Sequence, residues 1–314
     1  MTSLTRNTHL TPDPATAPAP EPVNLVCADG QVLRGHYLPS AEVTTFTEDA
    51  HEVRHPVLIS PATGVKQHFY LRFAHWLAMQ GHDVLVFDYR GIGLSLHGPL
   101  KHCRATLAEW GQQDQVAAVE WLLSRTGAAE CVVLGHSAGA QMIGLLPNHQ
   151  RVARLVGVAA SSGWFKGMRP AFRLKAHFGM QLALPLGTRL LGYAPSAALG
   201  LGENLPASVG RQWGKWCAAG GYATNAVRHL PEQDFHAQVR TPITVLHATD
   251  DDIATPATVA DLLRTLPGAP KHRLHITPAD HGLRGIGHMN WFRQSHSAVW
   301  PLLAQAVQGK LGPR

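Results

Sequence analysis

The feature that most limits the fold is a repeated alternation of short apolar runs with longer amphipathic segments. The runs PVLISPA, DVLVFDY and ECVVLGHS, at residues 56–62, 83–89 and 130–137, contain little polar alternation. Such runs are typical of strands that are buried on both faces of a parallel sheet, with helices covering those faces. The sequence therefore predicts an α/β fold with a mostly parallel central sheet.

Further elements extend this pattern along the chain. An Asp-Gly turn at Asp29 and Gly30 predicts an N-terminal hairpin, because this dipeptide lies between apolar runs. Strands are also predicted within residues 154–163, 242–248 and 273–279. Apolar positions at helical spacing predict helices in the intervening segments, namely 67–81, 106–127, 138–148, 257–268 and 292–307.

The alternation stops at Trp164 and returns only after residue 230. The intervening stretch is rich in Gly, Pro and Trp and holds several short helical patterns. Because ligands bind beyond the carboxyl ends of the strands in such sheets, we expect it to form a helical cap there. The predicted organisation is therefore a disordered tail (1–21), two core parts (22–163 and 231–314) and a cap insertion (164–230).

Composition and cysteine usage narrow the class of protein. Of the 314 residues, 45% are hydrophobic and 15% are charged, which is typical of a folded globular protein. The scattered cysteines contain no CxxC pair, which disfavours a disulfide framework or a zinc site. No run of about 18 apolar residues and no apolar leader occurs. We therefore expect no membrane span and a cytoplasmic location.

The net charge of +6 is concentrated in the predicted cap. Residues 164–230 hold eight Lys and Arg side chains and one acid, Glu203, which gives this stretch a charge of +7. The rest of the chain is nearly neutral, so no nucleic-acid partner is predicted. The cationic stretch is consistent with solvated surfaces, with attraction of an anionic substrate, or with an anionic membrane surface.

The segment Gly-His-Ser-Ala-Gly at residues 135–139 joins a predicted strand to a predicted helix. In this pattern the serine occupies a sharp turn, and small residues on either side allow the turn to close. The start of the following helix also directs free backbone N–H groups toward an oxyanion formed beside the serine. The pattern predicts Ser137 as a nucleophile, although the same letters also fit an ordinary turn.

A serine nucleophile needs a histidine base and a carboxylate that orients it, in the chain order Ser, acid, His. The strand before Ala248 is followed by three aspartates, of which Asp251 lies at the expected distance and Asp250 is the alternative. One of these aspartates could equally cap the next helix.

The base is expected after the last strand. Among 20 histidines, His288 directly precedes the final predicted helix, whereas His281 comes earlier and His296 lies within that helix. The loop after the strand at 56–60 is expected to supply a second oxyanion donor. By position, the backbone N–H groups of Thr63 and Ala138 form that pair.

These motifs together resemble the α/β-hydrolase superfamily of serine hydrolases. The resemblance covers about residues 22–305 through PATGV, FDYRGIG, GHSAGAQ, RQWGKWC, TDDDIATP and IGHMNWFR. It is greatest to a bacterial group of predicted α/β hydrolases, and it implies His288 as the base. The chain differs from that group at Ala140, Met289 and Asn290, where the group usually has Gly, an apolar residue and Gly.

We expect hydrolysis of a carboxylic ester or related acyl bond, of the carboxylesterase or lipase type, with a small-molecule acyl substrate and no cofactor or metal. An acyltransferase using the same three residues is an alternative, and a non-catalytic binding protein is another. The apolar residues of the cap predict either an acyl pocket or the cap's own core: Trp164, Phe165, Phe172, Phe178, Leu182, Leu184, Trp213 and Trp216.

Overall fold

The predicted N-terminal hairpin forms one edge of the central sheet. The computed structural model describes residues 19–41 and 54–311. In it, β1 (Glu21–Val26) pairs antiparallel with β2 (Val32–Leu38), and Gly30 in the connecting turn adopts a φ of 83°. The predicted tail lies outside the described residues except for its last three, and β1 begins at the last of them.

Eight strands form the central sheet, in the order β1-β2-β4-β3-β5-β6-β9-β10. β2 runs antiparallel to both of its neighbours, and every other adjacent pair is parallel. The predicted α/β fold with a mostly parallel sheet is therefore confirmed. The other strands of this sheet are β3 (Val57–Ser60), β4 (Val84–Phe87), β5 (Cys131–His136), β6 (Val152–Val158), β9 (Ile243–Ala248) and β10 (Lys271–Ile276). β7 (Tyr193–Ala194) and β8 (Leu205–Pro206) form a separate two-stranded sheet.

Helices lie between the strands, and none in the described part of the chain is long and apolar enough to cross a membrane. All four cysteines are free. The helices are α1 (Leu71–Met79), α2 (Leu107–Glu109), α3 (Val116–Thr126), α4 (Ala138–Gln141), α5 (Pro170–Phe178), α6 (Leu184–Leu191), α7 (Ala207–Ala219), α8 (Thr224–Val227), α9 (Pro256–Arg264) and α10 (Trp300–Val307).

Three predicted helices differ from those observed. The segment 106–127 contains a π-helical turn, Trp110–Gln115, between α2 and α3. The predicted helix at 138–148 ends as α4 and continues only as a 3-10 turn. At Gly144 a side chain would lie 2.2 Å from the His236 ring, so the chain there is closely packed. The predicted final helix begins at Trp300 and not at Phe292, because His296 has non-helical dihedrals and Pro301 favours the first turn of a helix.

The inserted segment, residues 164–230, lies between β6 and β9 and is mostly helical. α5, a π-helical turn (Gly179–Ala183) and α6 follow one another without a break. α7 contacts the core through Gln212, whose side-chain oxygen accepts hydrogen bonds from the N–H groups of Leu107 and Ala108 at 2.6 and 3.2 Å. The segment is thus fixed to the start of α2. Its role as a cap stays a prediction.

A buried ion pair joins the end of β4 to the π-helical turn. The Arg90 Nε donates to Asp114 Oδ1 at 2.6 Å, and the Arg90 N–H donates to Asp114 Oδ2 at 2.9 Å. Arg90 also contacts Asp29 of the hairpin turn at 2.6 Å. The Asp114 side chain is fully buried, and the Arg90 side chain is 7% exposed. Removing one partner would therefore leave a poorly solvated charge.

We expect Asp114→Ala to lower the free energy of unfolding by about 3 kcal/mol, because Arg90 then loses its fully buried counter-charge. Urea denaturation followed by circular dichroism measures this change. Glu21→Ala is the control, since its pair with Arg125 is about half exposed on both sides and should change stability by less than about 1 kcal/mol. Equal losses in the two variants would contradict the expectation.

Candidate active site

Ser137 occupies a strained turn between β5 and α4. Its φ of 48° and ψ of −113° lie in a region of backbone conformation that residues other than glycine rarely adopt. The neighbouring glycines permit this turn: a Cβ on Gly135 would lie 2.3 Å from the Ala140 nitrogen, and one on Gly139 would lie 2.0 Å from the Ser60 oxygen. The turn exposes the Ser137 hydroxyl at the carboxyl end of β5.

The structure brings Ser137, His288 and Asp251 into one chain of hydrogen bonds. His288 Nε2 lies 3.0 Å from Ser137 Oγ, and His288 Nδ1 lies 2.9 Å from Asp251 Oδ2. With the carboxylate ionised, Nδ1–H donates to Asp251 and the free Nε2 accepts from the serine hydroxyl. This tautomer is the one that a general base for Ser137 requires.

Asp251 is held as a buried carboxylate after β9. Burial raises its pKa, but the neighbouring His288 and hydrogen bonds from the N–H groups of Ala254 and Ile253 outweigh burial, so its pKa lies below the ordinary value. Both of those N–H groups donate to Oδ1, at 2.9 and 2.8 Å. Oδ2 therefore faces the imidazole, and the carboxylate is ionised at neutral pH.

The alternative acid, Asp250, contacts the backbone before His288 and not its ring. Its two oxygens accept hydrogen bonds from the N–H groups of Ile286 and Gly287 at 2.9 and 3.0 Å. His296 contacts the same loop, because its Nε2 lies 2.9 Å from the carbonyl oxygen of Gly285. Both side chains therefore hold the loop that presents His288, and neither bonds to Ser137.

A second hydrogen-bonded chain, which the sequence did not reveal, runs through His136 and Tyr70. Burial, with a smaller contribution from His288, lowers the pKa of His136 to about 3, so its ring is neutral. His136 Nε2–H donates to the His288 carbonyl at 2.9 Å, and Nδ1 accepts from the Tyr70 hydroxyl at 2.8 Å. That hydroxyl accepts from the Ala62 N–H at 3.0 Å. The chain links the serine turn, the His288 loop and the loop after β3.

One sequence signal could have indicated this second chain. A histidine directly before Ser137, at the end of a wholly apolar strand, must have buried partners because its ring nitrogens are polar. The pattern does not reveal the partner, since Tyr70 lies 66 residues away in the sequence.

We expect Tyr70→Phe to lower kcat by about tenfold with little change in KM, because the His136 ring and the Ala62 N–H, both buried, lose their partner and the loops around Ser137 shift. Steady-state kinetics on a soluble ester measures this split. Tyr37→Phe is the matched control, since Tyr37 is also buried but bonds to Asp83 at the other end of the sheet. A similar loss of kcat in both variants would show a general effect on stability.

The predicted oxyanion donors, the N–H groups of Thr63 and Ala138, lie in the loop after β3 and at the first residue of α4. In the loop after β3, the Ala62 N–H donates to the Tyr70 hydroxyl, and the Val65 N–H donates to the Ala62 carbonyl at 3.1 Å. Within the described residues, the N–H groups of Thr63 and Ala138 have no protein acceptor. Thr63 and Ser137 border the same cavity. The role of the Thr63 and Ala138 N–H groups as oxyanion donors stays a prediction.

A cavity of about 480 Å³ leads from Ser137 and His288 into the inserted segment, and most of its walls are apolar. Its lining includes Met168, Phe172, Phe178, Met180 and Trp213. Met289, one of the departures from the bacterial group, also borders it, whereas Asn290 does not.

The apolar residues predicted for a pocket or a core divide between the two. Phe172, Phe178 and Trp213 line the cavity, whereas Phe165, Leu184 and Trp216 are buried. Trp164 and Leu182 belong to neither group, because Trp164 is only partly buried and 55% of Leu182 is exposed.

Comparison with known proteins agrees with this fold. The model of the alpha/beta hydrolase family matches residues 57–299. The chain belongs to the α/β-hydrolase family. A search among curated proteins finds no significant sequence match. The narrower resemblance to one bacterial group stays a prediction.

Solved structures share the fold over nearly the whole of this α/β hydrolase. A soluble variant of monoglyceride lipase from Saccharomyces cerevisiae, in complex with a substrate analogue, is 16% identical with a TM-score of 0.62, covering 97% of this chain and 99% of that chain. The Pyrococcus furiosus esterase Pf2001 is 13% identical with a TM-score of 0.58, covering 95% and 93%. DcsB, in complex with its substrate analogue, is 15% identical with a TM-score of 0.60, covering 93% and 99%.

Proposed function

We propose that this protein is a serine hydrolase that cleaves a carboxylic ester or related acyl bond through an acyl-enzyme on Ser137. The observation that carries this proposal is the hydrogen-bonded series Ser137, His288 and Asp251, of which Ser137 and His288 line an apolar cavity. A serine hydroxyl is a poor nucleophile until a base removes its proton, and His288 Nε2 is in position to do so.

In the first half-reaction, Ser137 Oγ attacks the carbonyl carbon while its proton moves to His288 Nε2. The resulting imidazolium is stabilised by the Asp251 carboxylate, and the oxyanion accepts hydrogen bonds from the N–H groups of Thr63 and Ala138. Collapse of this intermediate breaks the bond to the leaving alcohol, which takes the proton from His288. The acyl group then remains on Ser137.

In the second half-reaction, a water molecule gives a proton to His288 Nε2 and its oxygen attacks the acyl carbon. Breakdown of that intermediate releases the carboxylic acid and returns the proton to Ser137 Oγ. No step in this scheme uses a cofactor or a metal.

The apolar cavity favours a substrate with a hydrocarbon acyl or alcohol part, of the kind that carboxylesterases and lipases accept. The inserted segment contributes most of the cavity walls, which supports its role as a cap over Ser137. The similarity in fold to a monoglyceride lipase and an esterase is consistent with this substrate class.

The decisive experiment is labelling with a fluorophosphonate probe, which phosphonylates an activated serine. We expect one adduct per chain, located at Ser137 by mass spectrometry, and none in Ser137→Ala. Ser208→Ala, on α7, is the control that should label normally. Absence of labelling at Ser137 in freshly purified protein would favour the non-catalytic binding protein.

A panel of esters and amides, with and without added alcohols or amines, separates hydrolysis from acyl transfer. We expect the free carboxylic acid as the main product from esters. An acylated alcohol or amine as the main product would favour the acyltransferase.

A further inference from the structure

The helical run formed by α5, the π-helical turn and α6 exposes a row of apolar side chains. Of nine large apolar side chains that are exposed in the described part of the chain, six lie on this run. Five of them recur at every fourth position and form what we call the apolar ridge: Leu174, Phe178, Leu182, Leu186 and Leu190, with exposed fractions of 75, 60, 55, 57 and 74%. Single exposed apolar residues are ordinary, but a contiguous row marks a binding surface.

The helix geometry keeps this ridge on one side. An α-helix has about 3.6 residues per turn, so side chains four residues apart are offset by about 40° around the helix axis at each step. The wider π-helical turn at Gly179–Ala183 opposes that drift at its centre. The opposite side of the run is buried at Ala176, Met180, Leu184 and Thr188, which also recur at every fourth position. The run therefore packs against the protein through one apolar face and presents a second to the surroundings.

Cationic side chains border the apolar ridge, and acidic ones are absent from the run. Arg173, Lys175 and Arg189 are exposed on residues 170–191, which contain no Asp or Glu. The single acid of the inserted segment, Glu203, pairs with Lys66 at 2.8 Å. A symmetric contact between two copies of this face would bring cations against the same cations. A lipid layer with anionic headgroups would attract these cations, and its hydrocarbon interior would accept the apolar ridge.

The apolar ridge is continuous with the cavity that contains Ser137. Phe178, the second residue of the ridge, and Lys175 beside it both line that cavity. An apolar molecule leaving a lipid layer at the ridge would therefore meet a side chain that also lines the cavity.

We propose that residues 170–191 dock onto an anionic phospholipid surface, with the apolar ridge inserted between the lipids and Arg173, Lys175 and Arg189 at the headgroups. Helices with an apolar face and a cationic border bind membranes in this orientation, parallel to the surface. This interaction goes beyond the proposed hydrolysis, because it does not require Ser137.

The test is sedimentation of full-length protein with vesicles, using Ser137→Ala so that no lipid is hydrolysed. We expect binding to vesicles of phosphatidylglycerol and phosphatidylcholine in equal parts, weaker binding to pure phosphatidylcholine, and loss of the difference at high salt. Changing Leu182 and Leu186 to Glu should lower the partition coefficient by at least about tenfold. Changing Arg173 and Arg189 to Ser should lower it by about fivefold for each cation.

Residues on the surface outside the inserted segment provide matched controls. Leu94 is 60% exposed outside the inserted segment, so Leu94→Glu should bind as the parent does. Lys271 and Arg273 are exposed at the sheet edge, and their replacement by Ser should also leave binding unchanged. Unaltered melting temperatures would show that the ridge variants are folded.

Two results would overturn the proposal. One is absence of binding to the anionic vesicles, or equal binding to both vesicle types at low salt. The other is a dimer in solution that the Leu182→Glu and Leu186→Glu changes dissociate, because a second copy would then cover the ridge. Either result would leave the labelling of Ser137 unaffected and so would not bear on the hydrolase proposal.

Discussion

Replacing Ser137 with alanine is expected to lower kcat for ester hydrolysis by about 10⁶-fold, as removal of a serine nucleophile from such a triad does elsewhere. Alanine keeps the strained backbone at φ 48° and removes only the oxygen that attacks the carbonyl. Stopped-time assays at high enzyme concentration, on one activated and one unactivated ester, measure the residual rate. Binding of an ester in the cavity should persist, because the apolar lining is unchanged.

The same series of hydrogen bonds predicts strong non-additivity. His288→Ala removes the base, so the Ser137 hydroxyl is no longer activated, and the loss should approach that of Ser137→Ala. The double variant should then be little slower than either single variant, since the two residues act as a unit. Losses that multiply would contradict the assignment of His288 as the base for Ser137.

The sequence predicts the sheet, the turn at Ser137 and the place of His288 because local patterns and the order along the chain indicate them. Apolar runs without polar alternation indicate strands buried on both faces. Gly135 and Gly139 indicate a turn that side chains would prevent from closing, and a Cβ added at either position would overlap neighbouring backbone atoms in the structure. Among 20 histidines, His288 is distinguished by its place in the chain order. It lies 3.0 Å from Ser137 Oγ.

Other features depend on contacts that no local pattern contains. Asp250 and Asp251 are adjacent in the sequence, and only the direction of each side chain assigns one to the His288 ring and the other to the loop N–H groups. The apolar ridge has the same four-residue spacing as the buried face of its helix, so periodicity alone could not distinguish them. Leu182 was accordingly expected in a core or pocket, and it is exposed.

The direction of the Asp251 side chain leads to a sharp expectation for Asp251→Asn. Oδ1 accepts two backbone hydrogen bonds, from Ile253 and Ala254, so the carbonyl oxygen of an asparagine would keep that position. Its NH₂ group would then face His288 Nδ1 and force the proton onto Nε2. A ring with Nε2–H cannot accept the proton of Ser137. We expect kcat to fall by about 10⁴-fold, the loss seen when a triad histidine is held in the wrong tautomer.

Asp250→Asn provides the matched comparison one residue away. Its oxygens accept from Ile286 and Gly287, so an amide there loses one backbone hydrogen bond and shifts the loop without changing the tautomer of His288. A loss of about tenfold in kcat is expected, because misplacing the base costs less than disabling it. Steady-state kinetics over a range of pH measures both variants. If Asp250→Asn were the slower of the two, the acid would have to be reassigned from Asp251 to Asp250, and the hydrogen bonds around His288 would have to rearrange during catalysis.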